Sequence, residues 1–171
     1  MGDNTEIKFK NLVDAHYQAL FRFGLSLSGN EHDASDLVQE TFTVFAKKGD
    51  TIRDHSKAKT WLFTTLYRQF LRQVRKNKRV KLDAPDNLAD QEILSVEPDV
   101  VRALDGDAAI DALQRVSEIY RDPLTLFYLQ HFSYREIGEI IDIPIGTVMS
   151  RIARGKSELK TILQTAKTPN R

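Results

Sequence analysis

Apolar residues recur three and four positions apart along nearly the whole 171-residue chain, which is the spacing of one face of an α-helix. No stretch shows the strict alternation of apolar and polar residues that is typical of a half-buried β-strand, and no segment repeats. Turn-forming residues interrupt the helical pattern at 28–30 (Ser-Gly-Asn) and at 142–144 (Asp-Ile-Pro). The spacing therefore predicts an all-α fold.

The chain divides into two helical blocks on either side of an acidic segment. Between residues 83 and 107 there are eight acids, two prolines and a single base, Arg102, so we expect a flexible acidic linker. We predict two small domains, a three-to-four-helix bundle over residues 1–81 and a helical domain over 107–171, joined by a linker at 82–106. The predicted helices span about residues 6–27, 32–48, 58–79, 107–119, 123–131, 134–141 and 144–163, with a frayed tail over 164–171.

Composition excludes several kinds of protein. The chain has no cysteine, so disulfide scaffolds, thiolate metal sites and cysteine nucleophiles are excluded. Its four histidines lack metal-ligand spacing, and neither a Gly-rich phosphate loop nor a G-x-S-x-G motif occurs. The polar N-terminus does not look like a signal peptide, and no apolar run approaches the roughly 20 residues that cross a bilayer. We expect a cytoplasmic protein that is not an enzyme, with no catalytic residues, metal, cofactor, small-molecule substrate or transmembrane segment.

An acidic patch lies on the second predicted helix. Asp36, Gln39 and Glu40 stand three and four residues apart, which puts two carboxylates and an amide side by side. Such a patch suits a basic partner surface, although a merely solvated face has the same pattern. No nucleophile accompanies the carboxylates, which disfavours acid–base chemistry.

The third predicted helix concentrates positive charge. Residues 57–81 contain nine bases and no acid. One face of the helix carries Arg68, Arg72, Arg75 and Arg79, and the opposite face carries Phe63, Leu66, Tyr67 and Phe70. A basic stripe of this kind neutralises nucleic-acid phosphates. The pattern also fits an anionic membrane surface or a solvated basic face.

The end of the chain has the pattern of a helix-turn-helix. Ser133 and Glu136 form a capping-box sequence before a short apolar-faced helix, and Pro144 favours the start of another helix. The last helix has an apolar stripe consisting of Val148, Ile152, Gly155, Leu159 and Ile162. Small, polar and basic residues face away from that stripe, as entry into the DNA major groove requires. An ordinary amphipathic helix pair remains the alternative.

Three segments resemble one family, the extracytoplasmic-function (ECF) sigma factors of the sigma-70 family. The segment SYREIGEIIDIPIGTVMSRIARGKSEL is similar to their region 4, which is a helix-turn-helix. The segment DASDLVQETFTVFAK resembles region 2.2, and KTWLFTTLYRQFLRQVRKNKR resembles regions 2.3 and 2.4. The resemblance covers about residues 9–79 and 108–163, in the family's order. Two departures are Met149, where the family often has a base, and Asp142, where the family has a turn glycine.

The resemblance implies a sigma factor that binds core RNA polymerase, directs promoter-specific initiation and assists DNA opening. It assigns Asp36, Gln39 and Glu40 to the clamp helices of the largest polymerase subunit. For the −10 element it implies Arg53, His55, Ser56, Lys59, Trp61, Arg68, Arg72, Arg75, Lys76 and Arg79. For the −35 element it implies Ser133, Arg135, Thr147, Met149, Ser150, Arg151, Arg154 and Lys156.

The resemblance also implies an anti-sigma factor as a partner, which holds the protein at the membrane in some members of the family. Two alternatives stay open from the residues alone. A helix-turn-helix regulator that binds DNA as a dimer would not need the acidic patch. A helical adaptor controlled by a partner protein would bind no DNA sequence specifically. Trp61 can either stack on a base or anchor the third helix on the first, and we favour the anchoring role.

Overall fold

The computed structural model of the protein describes residues 2–48, 54–77 and 106–167. The N-terminal block contains α1 (Gly2–Ser28), α2 (Glu31–Lys48) and α3 (Ala58–Asn77), with a 3₁₀ turn at His55–Lys57. The C-terminal block contains α4 (Gly106–Gln114), α5 (Glu118–Tyr128), α6 (Tyr134–Ile141) and α7 (Ile145–Lys167). The described residues include no β-strand, and the predicted all-α class is confirmed. None of the helices in these ranges is long and apolar enough to cross a membrane.

The three N-terminal helices pack around one apolar core. The fully buried side chains in it are Leu20, Phe23, Leu37, Val38, Leu62, Phe63 and Leu66. Burial of each such Leu or Phe stabilises the fold by about 1.5–3 kcal/mol. The turn between α1 and α2 uses Gly29 at φ 75°, and the Asn30 side chain accepts a hydrogen bond from the Asp33 backbone N–H (2.8 Å). This side-chain cap explains why α2 begins just after Asn30.

Trp61 anchors α3, as predicted, but on a different helix. Its ring meets that of Phe45 on α2 edge to face, with centroids 5.5 Å apart. Phe45 in turn stacks on Phe9 of α1 (6.2 Å). The anchor on α1 is therefore indirect, through an aromatic chain that links all three helices.

The break between α4 and α5 differs from the prediction. We expected helices at 107–119 and 123–131, but α4 ends at Gln114 and Pro123 lies inside α5. The Arg121 guanidinium donates to the carbonyl oxygens of Leu113, Gln114 and Val116 at 2.9–3.1 Å, and so satisfies the C-terminal end of α4. Pro123 removes one backbone donor from α5, a loss that the buried packing of the helix outweighs.

The helix-turn-helix signals at α6 are confirmed. Ser133 Oγ accepts from the Glu136 N–H (3.3 Å), while the Ser133 N–H donates to the Glu136 carboxylate (2.9 Å), which completes a capping box. At the other end of α6, Asp142 adopts the left-handed conformation (φ 58°) where the family has glycine. Aspartate tolerates this backbone better than most residues do, so the turn to α7 is kept.

The packing of α7 on α5 depends on a glycine. Val148, Ile152 and Leu159 are buried as predicted, and Gly155 lies between them on the same side. A Cβ atom at Gly155 would lie 2.7 Å from Leu124 Cδ1 and 2.9 Å from Tyr120 Cβ, so only glycine allows this approach. The predicted frayed tail is wrong for its first residues, because α7 continues to Lys167. The rest of the tail, 168–171, lies outside the described residues. So does the linker predicted at 82–106, except for Gly106, which begins α4.

The two blocks contact each other, which the sequence pattern did not predict. The rings of Phe63 on α3 and Phe132 in the α5–α6 turn meet edge to face at 5.0 Å. The Gln114 side chain donates to the carbonyl oxygens of Leu25 (3.0 Å) and Ser26 (2.7 Å) at the end of α1. We call the contact surface of α1 and α3 with α4, α5, α6 and the α5–α6 turn the interblock junction.

Candidate protein- and nucleic-acid-binding surfaces

The acidic patch forms an exposed face on α2. Asp36, Gln39 and Glu40 are all exposed, while Leu37 and Val38 are fully buried on the opposite side. The Asp36 carboxylate lies 3.5 Å from His32 Nε2, one turn earlier. We call Asp36, Gln39 and Glu40 the α2 acidic face. Because its back is fixed in the core, it presents its polar groups in a rigid arrangement suited to a basic protein surface.

The basic stripe of α3 is exposed where the structure describes it. Arg68, Arg72, Arg75 and Lys76 all face solvent, and Arg79 lies outside the described residues. Buried Gln69 supports the stripe, since its Oε1 accepts from the Arg72 guanidinium (3.1 Å). The face can therefore bind several phosphates at once.

The predicted base-binding loop is described only in part. Arg53 lies outside the described residues, and the backbone of His55 begins the 3₁₀ turn. Ser56 donates from both its N–H (3.0 Å) and its hydroxyl (2.6 Å) to Asp54 Oδ1. This local turn starts α3 and points to a structural use of the Ser56 hydroxyl.

Lys59, predicted to contact DNA, lies at the interblock junction. Its ammonium donates to the Gln130 carbonyl oxygen (2.8 Å) and stands 4.5 Å from the centroid of the Phe132 ring. Burial, followed by the charge of Lys59, lowers the pKa of His16 on α1. In this arrangement the Lys59 ammonium therefore binds groups of the protein itself rather than DNA.

A second polar contact at the junction joins Tyr67 to Asp122, and the charge of Arg151, another predicted DNA-binding residue, acts on this pair. The Tyr67 hydroxyl on α3 donates to Asp122 Oδ2 on α5 (3.2 Å). Burial raises the pKa of Asp122 to about 7, an effect that Glu118 reinforces and that Tyr67, Arg121 and Arg151 oppose. Burial also raises the pKa of Tyr67, and the charge of Asp122 is the second largest cause. Partly buried Arg151 therefore lies within electrostatic reach of this pair.

The rest of α7 presents small and polar groups to solvent at its N-terminal end. Ser150 donates its hydroxyl proton to the Thr147 carbonyl oxygen (3.1 Å), and Met149 beside it is exposed. Arg154, one turn beyond Ser150, is partly exposed. The Lys156 ammonium stands over the rings of Phe127 (4.8 Å) and Tyr128 (5.4 Å) and helps to hold α7 on α5.

The two predicted residues of α6 differ in their surroundings. Ser133 is used in the capping box, whereas Arg135 is exposed and faces Glu139 at 3.7 Å. An ion pair this exposed contributes little to stability, so Arg135 can exchange Glu139 for a phosphate at small cost. Among the described side chains, no group of three or more His, Asp or Glu is arranged to hold a metal ion.

Comparison with known proteins assigns both blocks. The Sigma-70 region 2 family model matches residues 12–80, and the Sigma-70, region 4 model matches residues 107–159. The ECF RNA polymerase sigma factor EcfG of Rhodopseudomonas palustris is 33% identical over 85% of this chain and 79% of its own. The ECF RNA polymerase sigma factor SigM of Bacillus subtilis is 30% identical, over 88% of this chain and 94% of its own.

The chain belongs to the ECF sigma factors. As a member of this family it directs transcription initiation. The sigma factor RpoE, solved in complex with the anti-sigma factor NepR from Bartonella quintana, is similar in structure. It has a TM-score of 0.71 and 30% identity over 92% of this chain and 97% of its own. CnrH, solved with the cytosolic domain of CnrY, shares the fold with a TM-score of 0.64 and 20% identity over 94% and 90% of the two chains.

In this sigma factor, sequence reasoning missed the residues that join region 2 to region 4. Tyr67 lies on the predicted apolar face of the third helix, and no pattern in the sequence marks Gln114, Asp122 or Gln130. The burial that gives Asp122 its need for a partner comes from the folded structure and has no mark in the sequence. Nothing in the sequence indicated that the partner lies on α3.

Proposed function

We propose that this sigma factor docks on core RNA polymerase through the α2 acidic face and places its basic surfaces on promoter DNA. The observation that carries the proposal is the shared core of α2 and α3. Leu37 and Val38 of α2 are buried with Leu62 and Leu66 of α3, so the acidic and basic faces belong to one rigid bundle. Binding of one face to a basic protein surface fixes the position of the other.

The polymerase contact is assigned to the clamp helices of the largest subunit. Asp36, Gln39 and Glu40 supply two carboxylates and an amide within about one helical turn, and their exposure leaves them available in the described arrangement. Charge complementarity of this kind speeds association and selects the partner.

The −10 element is assigned to the basic stripe of α3 and the loop before it. Arg68, Arg72, Arg75 and Lys76 hold the phosphate backbone, and Arg53, His55 and Arg79 extend the surface in the sequence. The loop captures an unstacked base, which lowers the cost of opening the duplex. Ser56 closes the turn before α3 through its contacts with Asp54, and Trp61 holds α3 on α2 through Phe45.

The −35 element is assigned to α7, with Arg135 of α6 on the flanking backbone. The first turns of a recognition helix contact base edges in the major groove, and in α7 these turns carry Thr147, Ser150 and Arg154. Region boundaries at 1–81, 82–106 and 107–171 follow from this assignment. The protein acts in the cytoplasm, without catalytic chemistry of its own.

An anti-sigma factor completes the proposed set of partners. The solved relative RpoE is bound to the anti-sigma factor NepR, and CnrH is bound to the cytosolic domain of CnrY. In this chain the interblock junction already engages Lys59. A partner that stabilises this arrangement would keep Lys59 from DNA.

The test is transcription by purified core polymerase with and without the protein, on genomic fragments that include the gene's own upstream region. The double variant Asp36→Arg with Glu40→Arg is expected to bind core about 30-fold more weakly or worse and to lose the specific transcripts. The matched control is Asp14→Arg with Asp111→Arg, which reverses two exposed carboxylates on α1 and α4.

Specific transcripts that persist in the control and vanish in the double variant support the proposal. Absence of both transcripts and core binding with the folded wild-type protein would contradict it, and would favour a regulator that binds DNA by itself.

A further inference from the structure

Two large apolar side chains stand exposed on the first two turns of α7. Ile145 is 53% exposed and Met149 is 41% exposed, although the neighbouring Val148 and Ile152 are buried. Ile145 and Met149 are four residues apart and therefore adjacent on the helix surface. They form an apolar pair on the part of the helix that is assigned to DNA.

The residues around this pair are small and leave it projecting. A Cβ atom added at Gly146 would meet nothing within 4 Å, and Ala153 follows Met149 by one turn. The backbone of α7 can therefore come close to a flat or grooved surface, with Ile145 and Met149 reaching furthest into it. Neither side chain serves the core, because the buried stripe of α7 lies to the side of them.

The charge around the pair fits nucleic acid. Residues 145–157 contain three basic side chains and no acidic one, and Arg135 is exposed at the start of α6. DNA phosphates can pair with these positive charges, but they offer nothing to two apolar side chains. On the floor of the major groove the apolar group available is the 5-methyl group of thymine.

We propose that Met149, together with Ile145, contacts thymine 5-methyl groups in the −35 segment and makes the protein prefer A·T pairs there. The inference rests on the proposed function of α7 and explains why the helix would prefer certain base pairs. Ser150 supports it, because its hydroxyl proton is already donated to the Thr147 carbonyl oxygen. Its remaining acceptor suits the amino group of adenine, which lies beside the thymine methyl group in the major groove.

Replacement of thymine by deoxyuridine tests the contact directly, since it removes the methyl group and keeps the base pair. The probe is a promoter duplex that supports transcription by the holoenzyme, with each thymine of the −35 segment replaced singly in either strand. Wild-type holoenzyme is expected to bind about threefold to tenfold more weakly at one or two positions, the effect of one methyl group. Holoenzyme with Met149→Ala is expected to lose the same factor on the thymine duplex and to respond no further to deoxyuridine.

The matched control is Ile119→Ala, which removes an equally exposed apolar side chain (41%) from α5. This variant is expected to keep the wild-type response to deoxyuridine. Equal binding of thymine and deoxyuridine duplexes, an unchanged methyl response in Met149→Ala, or a −35 segment without thymine would each overturn the inference. Those results leave the sigma-factor assignment standing, whereas a holoenzyme that forms no promoter complex would overturn both.

Discussion

The α2 acidic face and the predicted DNA-binding residues of this sigma factor differ in what surrounds them. Asp36, Gln39 and Glu40 are exposed on a helix whose other side is fixed in the core. Lys59 instead donates to the Gln130 carbonyl oxygen, and Arg151 lies within reach of the Asp122 charge. One surface is accessible in the described arrangement, while Lys59 of the other is hydrogen-bonded between the blocks.

This difference separates the two proposed binding events. The proposed docking through α2 uses residues that the interblock junction does not engage. The proposed use of Lys59 on DNA requires that its ammonium leave the Gln130 carbonyl oxygen. We therefore expect polymerase binding to be insensitive to changes at the junction and DNA binding to depend on them.

The largest expected effect comes from filling the space that Gly155 leaves between α7 and α5. Gly155→Ala places a Cβ atom 2.7 Å from Leu124 Cδ1 and should lower the free energy of unfolding by about 1–3 kcal/mol. Denaturant unfolding measures this, and pull-down with core polymerase should still succeed through α2. The control Gly146→Ala adds the same methyl group to the same helix in open space and should leave stability equal or slightly raised. Loss of polymerase binding in Gly155→Ala would show that the two surfaces are not independent.

A smaller effect is expected at Lys59. Lys59→Met keeps most of the side-chain length but removes the charged donor to Gln130, which should weaken the interblock junction by about 0.5–1.5 kcal/mol, since Lys59 is only partly buried. Because the chain has no cysteine, dyes can be placed at Thr43→Cys on α2 and Thr161→Cys on α7, and energy transfer between them reports separation of the blocks.

Lys57→Met, which changes an exposed lysine two residues earlier, is the control for this measurement and should give the wild-type signal. Equal energy transfer in Lys59→Met and the wild type would mean that the hydrogen bond does not hold the blocks together.

The smallest effect is a pH dependence of the junction. Burial raises the pKa of Asp122 from 3.8 to about 7, so the packed arrangement binds a proton that an exposed Asp122 would release. The resulting stabilisation is fully present below pH 3.8 and is lost as pH rises through about 7. The same dye pair should therefore show blocks that separate more readily at pH 8 than at pH 6.

Burial and the Lys59 charge also shift the pKa of His16, so the comparison with Asp122→Asn is decisive. The variant keeps an acceptor for the Tyr67 hydroxyl but cannot ionise, and its energy transfer should change less between pH 6 and pH 8. An identical pH response in both proteins would assign the effect to groups other than Asp122.

Local patterns in the sequence predicted local structure well. The two-sided character of α2 and α3, the capping box at Ser133 and the left-handed Asp142 depend on residues within one or two turns of each other. The predicted position of the α4–α5 break was wrong because residues outside α4 determine where that helix ends. The Arg121 side chain ends α4 from outside that helix, and a proline is tolerated where burial outweighs one lost hydrogen bond.

Contacts between distant parts of the chain were beyond prediction. The Gln114 side chain binds the carbonyl oxygen of Leu25, 89 residues earlier, and neither residue carries a mark of that role. For Lys59, likewise, the sequence could not predict which group its ammonium contacts. A lysine at the start of a basic helix has the pattern of a phosphate contact, whether its ammonium faces solvent or a carbonyl of another helix.

The junction also has a thermodynamic consequence, because it joins two parts of one chain. Dilution cannot separate the blocks, so the fraction of molecules in the open form is a constant of the protein at any concentration. If DNA binds only the open form, the apparent dissociation constant of the protein–DNA complex is the intrinsic value divided by that fraction. A ligand that favours the open form then raises DNA affinity, and DNA raises affinity for that ligand by the same factor.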